Sequence, residues 1–103
     1  MKICWSESSV EDLRAIREYI SRDSEYYAIQ FTGKIISSVE QLSLFPEMGR
    51  KVPEADDDNI REIILRPYRI IYQLQENMVN IVTILLHSAR DLSNPKLKRW
   101  EIG

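Results

Sequence analysis

The chain of 103 residues contains one cysteine, three glycines and a formal net charge of only −2. A lone cysteine, Cys4, excludes an internal disulfide. With no paired thiols and no metal-ligand spacing, a reducing compartment is expected, the cytoplasm, with no metal and no cofactor. Cys4 stands between Ile3 and Trp5, where a small buried hydrophobe is expected. Long apolar runs are also missing. The longest, Met78 to Leu86, is interrupted by Asn80 and Thr83. None approaches the roughly 20 residues that span a bilayer, so no membrane association is expected. No apolar stretch near Met1 has the length of a secretory signal. Excess positive charge is the last absence, with 14 basic against 16 acidic side chains. A protein that depends on wide phosphate contact is usually clearly basic. Broad nucleic-acid affinity is therefore disfavoured, and only a local basic patch is left open.

What is present suffices for one core. Hydrophobic residues make up 44% and charged residues 29%, a globular balance without repeats or low-complexity linkers. A single domain over residues 1–103 is expected. Lys2 to Trp5 reads as a strand, with Ile3 and Trp5 at period two. Ser8, three residues before Glu11, has the spacing of a capping box and predicts a helix start. Val10, Leu13, Ile16 and Ile20 then mark one buried face of a helix ending near Ser21. Glu11, Asp12, Arg14, Arg17 and Glu18 fill much of its remaining surface.

Asp23 or Ser24 is placed to cap a second helix. Its predicted apolar face runs through Ala28, Phe31, Ile35, Val39, Leu42 and Phe45, and Pro46 stops it. Gly33 inside that helix costs up to about 1 kcal/mol against alanine, which predicts close packing at that position. Two helices joined by so short a turn form an antiparallel hairpin. From Gly49 the period changes. Ile60 to Leu65 reads as a strand and Arg66-Pro67 as a break. Arg69 to Gln75 alternates, with Ile70, Tyr72 and Leu74 on one face and Arg69, Ile71, Gln73 and Gln75 on the other. Glu76-Asn77 supplies turn chemistry. Met78 to Leu86 reads as a central strand covered on both sides. Pro53 to Asn59, with Glu54, Asp56, Asp57 and Asp58, reads as a solvated acidic loop. The tail carries Lys96, Lys98, Arg99 and Trp100, where Pro95 opens a short helix or the chain stays extended. The expected class is α+β: an N-terminal strand, a helical hairpin, then a mainly antiparallel sheet of three or four strands.

Several segments stand out beyond periodicity. They are Trp5 and then Asp12-Leu13 with Ile16, Tyr19 and Ile20. Pro46-Glu47-Met48-Gly49-Arg50 follows, then Arg61-Glu62, Tyr68-Arg69-Ile70-Ile71-Tyr72, and His87-Ser88-Ala89-Arg90. In this order and at this length they resemble the toxins of the RelE/ParE superfamily from bacterial type II toxin–antitoxin systems. The resemblance covers nearly the whole chain. It implies a growth-inhibiting toxin neutralised by a cognate antitoxin, a small protein with an acidic toxin-binding segment and a DNA-binding N-terminus. Some members cut messenger RNA on the ribosome, and others poison DNA gyrase.

For a messenger-RNA nuclease the resemblance implies catalytic positions at Arg61, Arg69, His87 and Glu62. Arginine forks would grip phosphate, while His87 or Glu62 would move protons. The same arginines have a structural reading, in which a strand arginine pairs with a carboxylate such as Glu62 or Glu54. Two departures favour the gyrase-poisoning branch. The tail lacks the tyrosine that many cleaving members carry, and the chain is not basic. In that branch the surface makes contacts instead of doing chemistry. Arg50, Arg69, Arg90, Lys96, Lys98, Arg99 and Trp100 are the expected target or antitoxin contacts. Tyr19, Tyr26 and Tyr27, at the hairpin tip, are candidate exposed aromatics, with core packing an equal alternative for Tyr19. A relative that only binds antitoxin and has no toxicity is the third alternative.

Overall fold

A computed structural model describes residues 1–86, and statements about structure refer to those residues. The elements are β1 (Lys2–Trp5), α1 (Glu7–Ser21), α2 (Glu25–Glu40), a 3₁₀ turn (Gln41–Ser43), β2 (Arg50–Lys51), β3 (Ile60–Leu65), β4 (Tyr68–Gln75) and β5 (Met78–Leu86). They form one five-stranded sheet in the order β1-β5-β4-β3-β2. Only the β1–β5 pair is parallel. The α+β class and the helical hairpin match the expectation, and the sheet has one strand more after the hairpin than the smaller count. None of the described helices is long and apolar enough to cross a membrane.

The helices start where serine caps them, though not where the capping-box spacing put the first. Ser6 caps α1, its side chain accepting from the Ser9 amide at 3.0 Å. Ser9 Oγ returns a bond to the Ser6 carbonyl at 2.8 Å. Ser8 therefore lies inside the helix. Ser24 caps α2 through the Tyr27 amide. The buried face of α1 is Ser9, Asp12 and Ile16, with Leu13 and Ile20 packed beside the core. Val10 is exposed, contrary to its apolar spacing. Asp12, expected at the surface, is 6% exposed because the end of β5 needs it. β1 stops at Trp5, so β5 has no strand neighbour beyond Ile81 on that side. Asp12 accepts from Thr83 Oγ1 at 2.6 Å and from the Ile84 amide at 3.0 Å. Ser6 Oγ donates to the Val82 carbonyl at 2.9 Å. The first helix thus closes a sheet edge that would otherwise expose donors and acceptors.

The second helix is shorter than its apolar spacing implied. It ends at Glu40, and a 3₁₀ turn carries the chain on to Ser43. Leu42 is fully buried, but Phe45 is 62% exposed. Gly33 is not a close-packing residue: a Cβ there would meet nothing within 4 Å.

The main core lies between the helices and one sheet face. Ile35, Val39 and Leu42 meet Ile70, Tyr72, Val79 and Ile81 there. The other face carries a smaller cluster of Val52, Ile60, Ile71 and Leu85. It is covered by the segment 52–59, whose Val52 is buried and whose Ala55 packs against the cluster. This segment is therefore a strap across the sheet, and Glu54 within it is not solvated as expected. Strand β5 reaches both clusters through a register shift. Ile71 faces Thr83 and Tyr72 faces Ile81, which leaves Val82 as an extra residue. Asn77 takes a left-handed φ of 59° in the β4–β5 turn, a conformation asparagine tolerates better than most residues.

Candidate functional site

Strand alternation decides where the expected site residues stand. The β3–β4 register pairs Glu62 with Ile71 and Ile64 with Arg69, so these share the strap-covered face. Arg61 pairs with Tyr72 and points to the helix-covered face. The two arginines expected to cooperate on one phosphate therefore lie on opposite sides of the sheet. His87, Arg90, Lys96, Lys98, Arg99 and Trp100 lie outside the described residues.

Arg69 is 1% exposed and Glu62 is also 1% exposed. Arg69 Nε donates to Glu62 Oε1 at 2.7 Å. Its Nη1 and Nη2 donate to the two oxygens of Glu54 at 2.7 and 3.0 Å, a bidentate grip. Glu62 Oε2 accepts from Arg50 Nε at 2.6 Å. Arg50 itself is on the outside, with about half its side chain exposed. Two carboxylates and two guanidiniums thus form one neutral network, and Glu54 brings the strap into it. Burial pulls the Arg69 guanidinium down, but the hydrogen bonds and charges of Glu54 and Glu62 outweigh it and hold the group above the usual arginine value. The pairing of Arg69 with Glu62 and Glu54, the structural reading of that arginine, is the arrangement present.

Arg61 is used differently. Its Nη1 donates to the Gly49 carbonyl at 2.9 Å and to the Glu47 carbonyl at 3.3 Å. Its Nε is buried without a hydrogen-bond partner among the described residues. Arg61 therefore braces the turn that leads into β2.

That turn explains the Pro46–Gly49–Arg50 signature. The Tyr72 hydroxyl donates to the Pro46 carbonyl at 2.8 Å and accepts from the Gly49 amide at 2.9 Å. A Cβ on Gly49 would stand 2.6 Å from the Glu62 carbonyl oxygen and 2.6 Å from the Tyr72 hydroxyl. Glycine is required there by a close approach of backbones, with no left-handed φ involved. Burial pushes the Tyr72 hydroxyl up, against the Gly49 amide and the Arg61 charge, which act the other way. Sequence reasoning grouped Tyr72 with the signature but gave it no role. The signal was the coincidence of one buried tyrosine with a Pro-x-x-Gly turn.

The remaining surface carries exposed aromatic side chains and shallow hollows. Tyr19, Tyr26 and Tyr27 are each more than 60% exposed around the hairpin tip. Tyr26 and Tyr27 meet edge to face with ring centroids 5.5 Å apart. Between α2 and the outer edge of β3 run two adjoining hollows that share Ser38, Gln41 and Leu65. One extends past Gly33 to Ile29 and Lys34, and the other past Ile64 to Met48 and Arg50.

Comparison with known proteins places this geometry. Residues 3–92 match the family described as ParE toxin of type II toxin-antitoxin system, parDE. A protein of Caulobacter vibrioides named Toxin RelE2 is 31% identical over 90 residues, spanning 86% of this chain and 97% of that protein. Two solved structures share the fold. A chain of the chromosomal ParDE system from P. aeruginosa superposes with a TM-score of 0.70 at 20% identity, covering 84% of this chain and 95% of that one. A mutant of the E. coli toxin RelE in the free state superposes with a TM-score of 0.54 at 18% identity, covering 95% of each chain.

Proposed function

The chain belongs to the ParE toxin family of type II toxin–antitoxin systems, and we propose that it inhibits growth by poisoning DNA gyrase, as a binding protein without covalent chemistry of its own. One observation carries this reading. Arg69, the cation best placed by sequence to grip phosphate, is buried and already committed to Glu54 and Glu62. An oxyanion arriving at this face would have to displace two carboxylates. Catalysis of phosphoryl transfer depends on donors preorganised toward the charge that develops. Donors saturated by internal carboxylates do not supply that. Arg61 is on the opposite face and holds backbone carbonyls. The net charge of −2 supports the same reading, since ribosome docking calls for wide phosphate contact.

The partner follows from the family. A cognate antitoxin neutralises the toxin, and an acidic segment suits the cations Arg50 and Lys34 beside the α2–β3 hollows. The test uses purified gyrase with supercoiled and relaxed plasmid. Accumulation of linear, gyrase-linked DNA with rising toxin is expected. Absence of cleavage complexes at saturating toxin, together with cutting of messenger RNA on purified ribosomes, would transfer the chain to the nuclease mechanism. Inactivity in both assays would leave an antitoxin-binding relative without toxicity.

A further inference from the structure

The segment between the 3₁₀ turn and β2 has a fixed backbone and large apolar side chains in water. Leu44 is 78% exposed, Phe45 62% and Met48 44%. The amides of Leu44 and Phe45 both donate to the Gln41 carbonyl, and the Met48 amide donates to the Phe45 carbonyl at 3.1 Å. The Tyr72 hydroxyl bridges the Pro46 carbonyl and the Gly49 amide. Arg61 Nη1 reaches the carbonyls of Glu47 and Gly49. At the near end, the Met1 ammonium donates to the Ser43 carbonyl at 2.7 Å and ties the segment to the start of β1.

A connection that only joined a turn to a strand would gain nothing from leucine and phenylalanine in water. Single exposed apolar side chains are ordinary. Here three fall within five residues, and Phe45, Pro46, Glu47 and Met48 line a shallow hollow of their own. Together they present on the order of a few hundred Å² of apolar surface. Patches of roughly 300–600 Å² on a monomer are often functional. The buried Tyr72 hydroxyl, the tight glycine at 49 and the Arg61 fork are all spent on holding this loop. That makes sense where its shape matters, because a loop fixed in advance binds without being ordered first.

Area and charge select the occupant. A second copy is short of area, since a stable dimer buries about 800 Å² on each partner. A two-fold axis through so small a loop would also bring the two Glu47 carboxylates together. Glu47 is the one charged side chain from Leu44 to Gly49, and it is exposed. An acidic antitoxin segment would be repelled there as well. A protein that handles DNA, by contrast, carries basic surface to hold phosphates. A carboxylate at the centre of an apolar patch complements such a surface.

We propose that the loop Leu44–Met48 is the anchor by which the toxin grips gyrase, its apolar side chains entering a groove on the enzyme whose basic rim meets Glu47. This rests on the reading of the chain as a gyrase poison. Leu44 and Phe45, the most exposed of the three, enter deepest. The clasp at Tyr72 and the brace at Arg61 act as positioning residues, which keep the loop in its binding shape.

Leu44→Ser/Phe45→Ser is compared with the native chain and with Val10→Ser, which removes a 40% exposed apolar side chain from α1. Far-UV circular dichroism and melting temperature should be alike in all three, because substitutions at exposed positions change stability little. With purified gyrase and supercoiled plasmid, the double variant should need about tenfold or more protein than the native chain for the same yield of cleavage complexes. Val10→Ser should match the native chain. Glu47→Lys should also weaken poisoning, and its deficit should shrink as salt is raised. Full poisoning by the folded double variant overturns the inference, and so does an equal loss in Val10→Ser. A concentration-dependent dimer of the native chain that the double variant abolishes overturns it too, since a second copy then occupies the patch. If the double variant fails to fold, Leu44→Ser alone takes its place at the most exposed position. Should the native chain not poison gyrase, the underlying reading falls, and growth arrest on expression decides the patch separately. Arrest lost only in the folded double variant keeps the loop as the anchor for another target, and arrest retained removes it.

Discussion

On one face of the sheet, Ile70, Tyr72, Val79 and Ile81 meet two helices. On the other, Arg69 and Glu62 meet the strap 52–59. The faces solve the same problem with different means. Helices bring enough apolar surface to cover a sheet by area alone, at roughly 25 cal/mol for each Å² removed from water. A short strap brings little, here chiefly Val52 and Ala55. It is pinned instead by a carboxylate that a buried arginine grips with two bonds. The contrast explains why this family signature resembles an active site. Charged residues clustered on strands are what a nuclease needs, and they are also what a thin cover needs.

Arg69→Ala separates the two faces most strongly. It leaves Glu62 buried with Arg50 beside it and removes the bidentate grip on Glu54 of the strap. Removing one partner of a buried ion pair typically costs about 3–5 kcal/mol, and urea unfolding followed by intrinsic tryptophan fluorescence measures it. A loss under about 1 kcal/mol would mean that the strap-covered face is held by Val52 and its apolar neighbours, like the helix-covered one. The same variant bears on activity. Lost killing by Arg69→Ala carries no information on chemistry until the stability of that variant is known.

Tyr72→Phe probes the helix-covered face through its tyrosine clasp. It strips the Pro46 carbonyl and the Gly49 amide of their shared partner in a buried place. Leaving such groups unsatisfied costs about 1–3 kcal/mol. The pH dependence tests the assignment further. Burial raises the Tyr72 hydroxyl above 10.0 in the folded chain. Its contribution is therefore complete below the unfolded value near pH 10 and is lost as pH rises from there through the higher folded value. Stability should fall above about pH 10, and less steeply in Tyr72→Phe. Some alkaline loss should persist, because burial raises Tyr68 as well. Equal slopes in the two proteins would remove Tyr72 from the account.

The same two faces separate what was legible in the sequence from what was not. Period-two and helical spacing located every strand from β3 to β5, both helices, and the face of β4 that carries Ile70, Tyr72 and Leu74. Spacing does not report what a polar side chain bonds to. Asp12 looked like surface because its value lies in Thr83 and Ile84, more than 70 residues away in sequence. Val10 and Phe45 fitted an apolar stripe, yet both are exposed among the described residues, and α2 already ends at Glu40, before Phe45. Gly33 was read as a close contact, whereas it borders open space. Among the site residues, Glu54 was hidden in an acidic run, where Asp56, Asp57 and Asp58 are indistinguishable from it by type. Only a register that sets Arg69 beneath residue 54 singles it out. The opposite placement of Arg61 and Arg69 depends on the same register, fixed by the two-residue turn at Arg66-Pro67.

The strap also carries an internal control, whose loss should be felt least. Lys51 Nζ pairs with Asp58 at 3.2 Å, with side chains 60% and 81% exposed. Glu54, on the same strap, pairs with Arg69 of β4 at 2.7 Å, with side chains 12% and 1% exposed. Charge type and separation are similar, and solvent is the main difference. In water the attraction of Lys51 for Asp58 is screened, and two long side chains lose rotamer freedom to make it. Lys51→Ala should therefore change unfolding free energy by no more than about 0.5 kcal/mol, and less in high salt. Its β2 pairing with Arg61 is a backbone matter and survives the substitution. If Lys51→Ala instead approached the loss from Arg69→Ala, the strap would be held by its exposed end. Burial of the Arg69 fork would then no longer explain why the second face stays closed.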